Sequence, residues 1–387
     1  MMKAIFATAP GGPDVLQLRD APMPGLPSPH HLRVKLAAAG VNPVDTKLRA
    51  KPAYHPGKLP AILGCDGAGL VEETGSAVTR FKVGDAVFFC NGGIGDEPGC
   101  YAEHTTLHED YCAAKPANLS LEDSAALPLV LLAAWEALVE RASLQAGQTV
   151  LIHAAAGGVG HIAVQLAHHL GARIAVTVSD DKKAGLAHGL GAEKIINYKE
   201  QDFVQEVLQW TGGMTRCAEA SGAGMPPPRL LPQTAGYAIT SDLASVVCSP
   251  SQMASSSISN VSEANGKGAD VVFDTVGGET FLRSLNAVRV GGKLATLLST
   301  PLSLADTQLA RLRNLSLCYD LMLTPQVMNL HDERVRQRKI LEQGARLVEA
   351  GKLGVLVSHK LPLEQAAEAH RLIEAGSMTG KVVLTMG

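Results

Sequence analysis

The sequence predicts a two-domain α/β protein, in which a folded β barrel precedes a doubly wound parallel sheet. The chain has 387 residues, which is enough for about two domains. Up to about residue 125 it is rich in glycine, proline and short β-like runs, and this pattern favours a barrel. Between residues 149 and 320 apolar strands alternate with helical patterns, which is typical of a parallel sheet with helices on both faces.

Four short runs in the N-terminal region are expected to be strands, because turns rich in glycine and proline separate them. They lie at 3–7, 32–38, 69–73 and 86–89. From residue 127 a long helix is predicted to about 141, and it leads into the second domain.

The second domain is expected to contain six strands, at 150–153, 173–178, 194–197, 269–274, 293–298 and 315–319. After them the pattern predicts a helix, a strand, a helix and a strand, at 333–350, 355–361, 364–374 and 381–384. This tail is expected to return to the first domain. We therefore predict one domain at 1–125, completed by 330–387, and another at 126–329.

A glycine motif follows the first strand of the second domain. Gly158, Gly160 and Ala163 have the spacing G-x-G-x-x-G/A directly after the apolar run 150–152. In this motif the first glycine permits a tight turn, the second lets a pyrophosphate approach the backbone, and the small third residue lets the helix pack closely. The helix would point its free N–H groups at the phosphates. The pattern predicts a dinucleotide site, with an ordinary glycine turn as the alternative.

The composition argues against nucleic-acid binding and membrane insertion. The formal net charge is −3, and the sequence shows no basic stripe. The most apolar stretch, 125–139, contains Pro128 and Glu136 and is too short to span a bilayer. The first residues lack a signal-peptide pattern. We expect a soluble cytoplasmic protein.

A series of motifs runs in order along nearly the whole chain outside residues 214–266. They are Gly40-Val-Asn-Pro-Val-Asp45, Leu63-Gly-Cys-Asp-Gly-Ala-Gly69, Phe81-Lys-Val-Gly-Asp85, Gly99-Cys-Tyr-Ala-Glu103, Ala134-Trp-Glu-Ala-Leu138, Ala154-Ala-Ala-Gly-Gly-Val-Gly160, Ile196-Asn-Tyr198, Phe273-Asp-Thr-Val-Gly-Gly278 and Ala375-Gly-Ser-Met-Thr-Gly-Lys381. In these motifs the chain resembles the zinc-free quinone oxidoreductases, the zeta-crystallin relatives among the medium-chain dehydrogenases/reductases. The resemblance implies a GroES-like β-barrel catalytic domain and a Rossmann NAD(P)-binding domain.

The same resemblance implies the residues of the catalytic cleft. Asn42 is expected to line its nicotinamide side, and Tyr54 is expected to bond the substrate oxygen. A half-exposed loop aromatic is the alternative interpretation of Tyr54. Asp45 is expected to fix the loop. The family often has threonine where this chain has Ala133, so one polar contact beside the nicotinamide is missing.

The expected cofactor is NADPH, with NADH as the alternative. NAD enzymes place a carboxylate about 20 residues beyond the glycine motif, whereas this chain matches the family's NADP-type pattern at Ser179, Lys183 and Tyr198. Asp180 and Asp181 would repel a 2′-phosphate if they faced it, and helix capping is the other interpretation. The resemblance also implies cofactor contacts from Ala156, Gly157, Gly158, Val159, Gly160, Val276, Leu298 and Lys381.

No zinc is expected. The zinc alcohol dehydrogenases of the superfamily have a cysteine near Asn42 and a His-Glu pair where Cys65-Asp66 stands, and these last two residues alone cannot supply three protein ligands. His104 and His153 are expected to be structural, and the seven scattered cysteines form no C-x-x-C pair. Without a metal to stabilise an alkoxide, hydride transfer to an electron-poor quinone or small α,β-unsaturated carbonyl fits better.

Residues 214–266 interrupt the family pattern, since joining Gly213 to Lys267 would make an ordinary loop. Their proline and serine runs and few charges indicate a disordered or atypical insertion. A loop from a helix to a strand lies away from the cofactor edge of the sheet, so we expect the insertion to spare catalysis. A homodimer is expected through the edge strand 315–319, because relatives commonly pair there.

Two other functions remain open. The first is a 2-enoyl-thioester reductase of the same fold, which would need a cluster of basic side chains to bind the CoA phosphates. The second is a non-enzymatic NADPH-binding protein of the crystallin-like or RNA-binding kind. The absence of a basic stripe argues against RNA binding, and the presence of Asn42 and Tyr54 argues against a catalytically inactive site. A small-molecule substrate is therefore the expected partner.

Overall fold

The computed structural model describes residues 1–52, 57–94, 97–212 and 267–387. Tyr54 and the segment 214–266, for which a catalytic role and an insertion were predicted, lie outside the described residues. The described ranges confirm the predicted fold class, because mainly antiparallel strands come first and an alternating parallel α/β region follows. The residues at which the domains divide stay a prediction.

Within residues 1–52, 57–94 and 97–148, eight strands precede the parallel region. They are β1 (Met2–Ala7), β2 (Leu16–Ala21), β3 (His31–Val41), β4 (Ala61–Ile62), β5 (Asp66–Thr74), β6 (Ala86–Cys90), β7 (His104–His108) and β8 (Cys112–Ala114). A small sheet has the order β2–β1–β4, while β3, β5, β6 and β8 form the body of a larger one, with β7 paired to β3. The four predicted strands are all present, and the structure adds β2, β4, β7 and β8.

Six parallel strands form the second sheet. They are β9 (Thr149–Ile152), β10 (Arg173–Val178), β11 (Lys194–Asn197), β12 (Ala269–Asp274), β13 (Val288–Thr296) and β14 (Ser316–Tyr319). Their order is β11–β10–β9–β12–β13–β14, which is the Rossmann order with its reversal between β9 and β12. Ligands of such sheets bind at that reversal, beyond the carboxyl ends of the strands. The fold thus places the site next to the glycine motif.

The C-terminal residues return to the first sheet. The strands β15 (Val357–Pro362) and β16 (Lys381–Thr385) pair with each other in parallel, and β16 pairs antiparallel with β3. In that register Val382 faces Val41 and Val383 faces Gly40. The last strand therefore lies beside Asn42, which directly follows β3.

Eleven α-helices lie in the described ranges. They are α1 (Pro43–Ala50), α2 (Leu121–Ser124), α3 (Pro128–Trp135), α4 (Gly158–His169), α5 (Asp181–Gly189), α6 (Phe203–Gly212), α7 (Gly278–Ala287), α8 (Leu304–Leu312), α9 (Thr324–Val327), α10 (His331–Glu349) and α11 (Ala366–Ala375). The long helix predicted from 127 to 141 is α3 followed by a π-helical stretch, Glu136–Arg141. Seven of the eight α3 residues are buried, because α3 packs against α4, α10 and the strands β5 and β6. No helix in the described ranges is long and apolar enough to cross a membrane.

The described residues on either side of 213–266 lie close together. The Gly268 N–H donates to Thr211 Oγ1 over 2.8 Å, so the end of α6 and the start of β12 already meet. We therefore expect a chain lacking 214–266 to fold, with a melting temperature within about 4 °C of the full-length value. Calorimetry of the two chains checks this. A fall of about 10 °C or more, or failure to fold, would show that the segment supports the parallel sheet.

Candidate active site

The glycine turn between β9 and α4 is tightly packed. Ala154 has a positive φ of 52°, and α4 begins at Gly158. A Cβ on Gly160 would lie 2.2 Å from Ala154 O and 2.8 Å from Ala155 Cα, so the turn itself requires glycine there. From the motif alone, this glycine was expected to let a pyrophosphate approach the backbone. The free N–H groups of the first helical turn nevertheless suit an anion, as the motif predicted.

Hydrogen bonds join this turn to the C-terminal tail. The Gly380 N–H donates to Ala156 O over 2.8 Å. On α4, His161 Nδ1 lies 2.9 Å from Gly157 O, and its Nε2 accepts the Leu356 N–H over 3.1 Å. Burial lowers the pKa of His161 to about 4, so the ring is neutral and its proton lies on Nδ1. Sequence reasoning missed His161, whose only signal is a polar residue inside the motif.

The predicted 2′-phosphate residues come together at the end of β10. Lys183 Nζ donates to Ser179 Oγ over 2.9 Å, and the Tyr198 N–H donates to Val178 O over 3.1 Å. Asp180 caps α5 by accepting the Lys183 N–H over 3.0 Å, and this bond lowers the pKa of its carboxyl. The second Asp180 oxygen lies 3.5 Å from Lys183 Nζ. Asp180 therefore both caps α5 and pairs with Lys183.

Two more predicted residues lie beyond β12 and β13. The Val276 N–H donates to Asp274 Oδ1 over 3.0 Å, and Leu298 packs against Gly277. Gly277 has a φ of 77°, and a Cβ there would lie 2.9 Å from Leu298 Cδ1. Val276 and Leu298 are therefore neighbours at the carboxyl edge of the sheet, where the cofactor was predicted.

Asn42 belongs to a buried three-residue cluster with Asp66 and Lys381, here called the Asn42 cluster. Asn42 Nδ2 donates to Asp66 Oδ2 over 2.9 Å, and Lys381 Nζ donates to Asn42 Oδ1. Lys381 Nζ also donates to Val41 O over 3.1 Å and lies 3.6 Å from Asp66 Oδ2. All three residues are at most 3% exposed. Burial raises the pKa of Asp66 and lowers that of Lys381, while their mutual attraction opposes both shifts.

Asp66 connects this cluster to α3. Its Oδ1 accepts the Leu129 N–H over 2.8 Å, in the first turn of that helix, where a carboxylate is favoured. A Cβ on Gly40 would lie 2.9 Å from Asp66 Cβ and 2.4 Å from Ala125 O. Glycine at 40 thus lets β3, the segment between α2 and α3, and the Asp66 side chain approach one another.

A second buried chain of hydrogen bonds starts at Asp45, in the first turn of α1. Asp45 Oδ2 accepts the Asn42 N–H over 2.8 Å and the Tyr101 hydroxyl over 3.0 Å. The Tyr101 hydroxyl oxygen lies 3.1 Å from His370 Nε2, and Arg49 Nη1 lies 3.2 Å from His370 Nδ1. Because arginine only donates, the His370 proton lies on Nε2 and is donated to Tyr101.

Burial dominates the titration of this chain. It raises the pKa of Asp45 to about 7 and lowers that of His370 to about 3, with the Arg49 cation adding to the second shift. Asp45 was expected to fix its loop, and its bond to the Asn42 backbone agrees with this. No role was predicted for Tyr101, although it stands in the motif 99–103, and His370 and Arg49 were missed because isolated polar residues give no local signal.

His153 and His104, which were expected to be structural, each contact polar side chains. His153 Nδ1 lies 3.1 Å from Thr177 Oγ1 and its Nε2 lies 2.9 Å from Ser284 Oγ. Burial lowers the pKa of His153 to about 4. His104 Nε2 lies 3.4 Å from Glu72 Oε1. Across the described ranges no three His, Cys, Asp or Glu side chains are placed to share a metal ion.

Comparison with known proteins gives consistent matches along the chain. Residues 28–117 match the alcohol dehydrogenase GroES-like domain, and 158–226 and 250–384 match zinc-binding dehydrogenase. A quinone oxidoreductase of Pseudomonas aeruginosa is 31% identical, and a 2-haloacrylate reductase of Burkholderia is 30% identical, each over 99% of both chains. The structure of an Escherichia coli quinone oxidoreductase complexed with NADPH superposes with a TM-score of 0.76 at 27% identity, over 99% of both chains.

Proposed function

Because the chain belongs to the quinone oxidoreductase family of medium-chain dehydrogenases/reductases, we propose that it reduces a quinone or a small α,β-unsaturated carbonyl with NADPH and without zinc. The observation that carries the proposal is the glycine turn beside the Ser179–Lys183 pair, on a chain matched over its whole length by quinone oxidoreductases. A 2-haloacrylate and a quinone share a conjugated, electron-poor double bond, so the two curated relatives point to one class of acceptor.

Each group of site residues has a separate role in the proposed reaction. NADPH supplies the hydride when it is bound. The helix that starts at Gly158 binds the diphosphate, and Ser179, Lys183 and Tyr198 surround the 2′-phosphate. Asn42 orients the nicotinamide from the barrel side, with Val276 and Leu298 at the opposite edge. Tyr54 stays our prediction for the group that bonds the substrate oxygen.

The donors around Asn42 support the proposed zinc independence. Both Asp66 oxygens already accept hydrogen bonds, and the Lys381 ammonium lies 3.6 Å from one of them. A zinc ion bound to Asp66 would be next to a buried cation, and the amide of Asn42 replaces a thiolate ligand. The donor set therefore does not fit a catalytic zinc, although the matched family carries zinc in its description.

The proposal also includes the expected oligomeric state and cellular location. We propose a homodimer that pairs the β14 edges, since β14 ends the parallel sheet with Tyr319 half exposed. Light scattering measures the mass of the particle. We also propose a cytoplasmic location.

The direct test follows NADPH oxidation by absorbance with 1,4-benzoquinone, 9,10-phenanthrenequinone and a short enone, with and without a chelator. We expect turnover that survives chelation and is faster with NADPH than with NADH. Activity lost to the chelator and restored by zinc would overturn the zinc-independent mechanism. NADPH binding without turnover on any of these acceptors would favour the thioester or non-enzymatic functions.

Asp180→Asn is expected to strengthen NADPH binding about fivefold and to leave NADH binding unchanged. The carboxylate now competes with the 2′-phosphate for Lys183, and its removal also ends its repulsion of the phosphate. Asparagine caps a helix as well as aspartate, so α5 keeps its start. Fluorescence titration with both cofactors measures the effect, and Asp181→Asn serves as the neighbouring control. An equal gain in affinity for NADPH and NADH would contradict the assignment of the 2′-phosphate to the site formed by Ser179, Lys183 and Tyr198.

A further inference from the structure

We propose that Lys381 is a positioning residue for Asn42 and not a ligand of the cofactor phosphates. This rests on the proposed reductase function, in which Asn42 meets the nicotinamide. The family resemblance alone placed Lys381 among the cofactor contacts, without saying where its ammonium points.

The ammonium of Lys381 makes two hydrogen bonds and one ion pair inside the protein. It has three N–H donors, and three oxygens surround it, from Val41, Asn42 and Asp66. The residue is 3% exposed, and Asp66 is its buried counter-charge. A phosphate that recruited this ammonium would have to break a buried contact and leave Asp66 unpaired, which is costly in a low-dielectric site. Lys183, in contrast, lies in the first turn of α5, and its ammonium is 3.5 Å from the partly exposed carboxylate of Asp180.

Lys381 and Asp66 together fix the orientation of the Asn42 amide. The oxygen of Asn42 faces the ammonium, and its nitrogen faces the carboxylate. Turning the amide over would set an NH₂ group against a cation and an oxygen against an anion, so both contacts would become repulsive. Among the described residues only Asp66 accepts from Nδ2, so its second N–H has no acceptor in the described ranges. The pair thus determines which group Asn42 presents.

The stem of Lys381 connects this orientation to the glycine turn. A Cβ on Gly158 would lie 3.2 Å from Lys381 Cδ, so the methylene chain runs along the start of α4. The preceding residue, Gly380, donates its N–H to Ala156 O over 2.8 Å. The turn that would hold the diphosphate and the amide that would meet the nicotinamide are therefore separated by one side chain. Lys381 sets their spacing.

The first test is cofactor affinity. We compare the parent with Lys381→Met, and with Lys381→Met/Asp66→Asn, which removes both charges so that no buried carboxylate is stranded. Lys360→Met, on the neighbouring strand β15 and about 41% exposed, is the matched control. NADPH affinity is measured by fluorescence at two salt concentrations. We expect Kd to change less than about threefold in every variant, with an unchanged salt dependence, because no phosphate contact is lost. A rise of about tenfold that shrinks at high salt would overturn the proposal.

The second test is the coupling to Asn42. Lys381→Met/Asp66→Asn is expected to slow hydride transfer to 1,4-benzoquinone about 10–100-fold in single turnovers, as a misplaced contact group does. The same change in an Asn42→Ala background is expected to cost less than about threefold, because the residue it positions is gone. Equal losses in the two backgrounds would overturn the proposal.

A third readout needs no turnover. With ¹⁵N-labelled asparagine, the Asn42 side-chain amide is assigned as the signal that Asn42→Ala removes. We expect two distinct, slowly exchanging amide protons in the parent and in Lys360→Met, and a shifted or averaged pair in Lys381→Met/Asp66→Asn. An unchanged pair would overturn the proposal even if the chain reduces none of the tested acceptors, whereas that lack of turnover by itself counts only against the proposed function.

Discussion

Replacing Gly160 with alanine is expected to weaken NADPH binding at least about 100-fold while the barrel sheets keep their fold. The added Cβ would lie 2.2 Å from Ala154 O and 2.8 Å from Ala155 Cα, and both are backbone atoms that no side-chain rotation can move. Ala154 already has a positive φ, so the turn can relieve the clash only by opening. Opening misdirects the N–H groups at the start of α4. Losing two hydrogen bonds to a charged group costs about 3 kcal/mol or more, which gives the expected factor.

The measurement is a fluorescence titration with NADPH, accompanied by far-ultraviolet circular dichroism and thermal melting. Gly185→Ala is the matched control, because Gly185 lies in α5 and a Cβ added there would have no neighbouring atom within 4 Å. That control is expected to bind normally and to gain about 0.5–1 kcal/mol of stability, since alanine restricts the unfolded chain. If Gly160→Ala bound NADPH within about threefold of the parent, the turn would not be the phosphate site.

The parallel sheet was predictable from sequence because most of its strands are apolar runs covered on both faces. The ranges predicted for β10, β11 and β12 agree with the structure to the residue. The strands β2 and β7 were missed for a physical reason. Only the two ends of β2 are buried, and β7 reads His-Thr-Thr-Leu-His without a run of apolar residues. Short barrel strands are determined by their partners across the sheet, which a local pattern does not contain.

The candidate site was predictable only where a local motif carried it. The glycine turn, Ser179, Lys183 and Asn42 each stand in a short motif, and they follow the ends of β9, β10 and β3. The partners of Asn42 could not be predicted, because Asp66 and Lys381 reach it from β5 and β16. Sequence resemblance placed Lys381 near the cofactor but could not show the direction of its ammonium. That direction is a product of tertiary packing.

Arg49→Met is expected to destabilise the protein by about 3 kcal/mol at neutral pH. Arg49 is 2% exposed, and its guanidinium joins three parts of the chain through Gly11 O, His370 Nδ1 and the Glu374 carboxylate. Methionine matches the stem but leaves His370 Nδ1 and a backbone carbonyl without donors, and buried unpaired groups cost about 1–3 kcal/mol each. Arg371→Met on the same helix as Glu374 is the control. Its pairs with Asp14 and Glu368 are exposed, so we expect no measurable change in the free energy of unfolding.

The loss caused by Arg49→Met is expected to shrink as the pH falls. Burial, reinforced by the Arg49 cation, lowers the pKa of His370 to about 3 in the folded protein, from about 6.5 in the unfolded chain. The unfolded chain therefore takes up this proton first, and below about pH 6.5 the group removes about 1.4 kcal/mol of stability per pH unit. Without the Arg49 cation the folded-state pKa of His370 rises, so the variant loses less on acidification. Urea unfolding of both proteins at about pH 7.5, 6.5 and 5.5 measures the difference. A constant difference across that range would mean that Arg49 supports the fold without controlling the charge of His370.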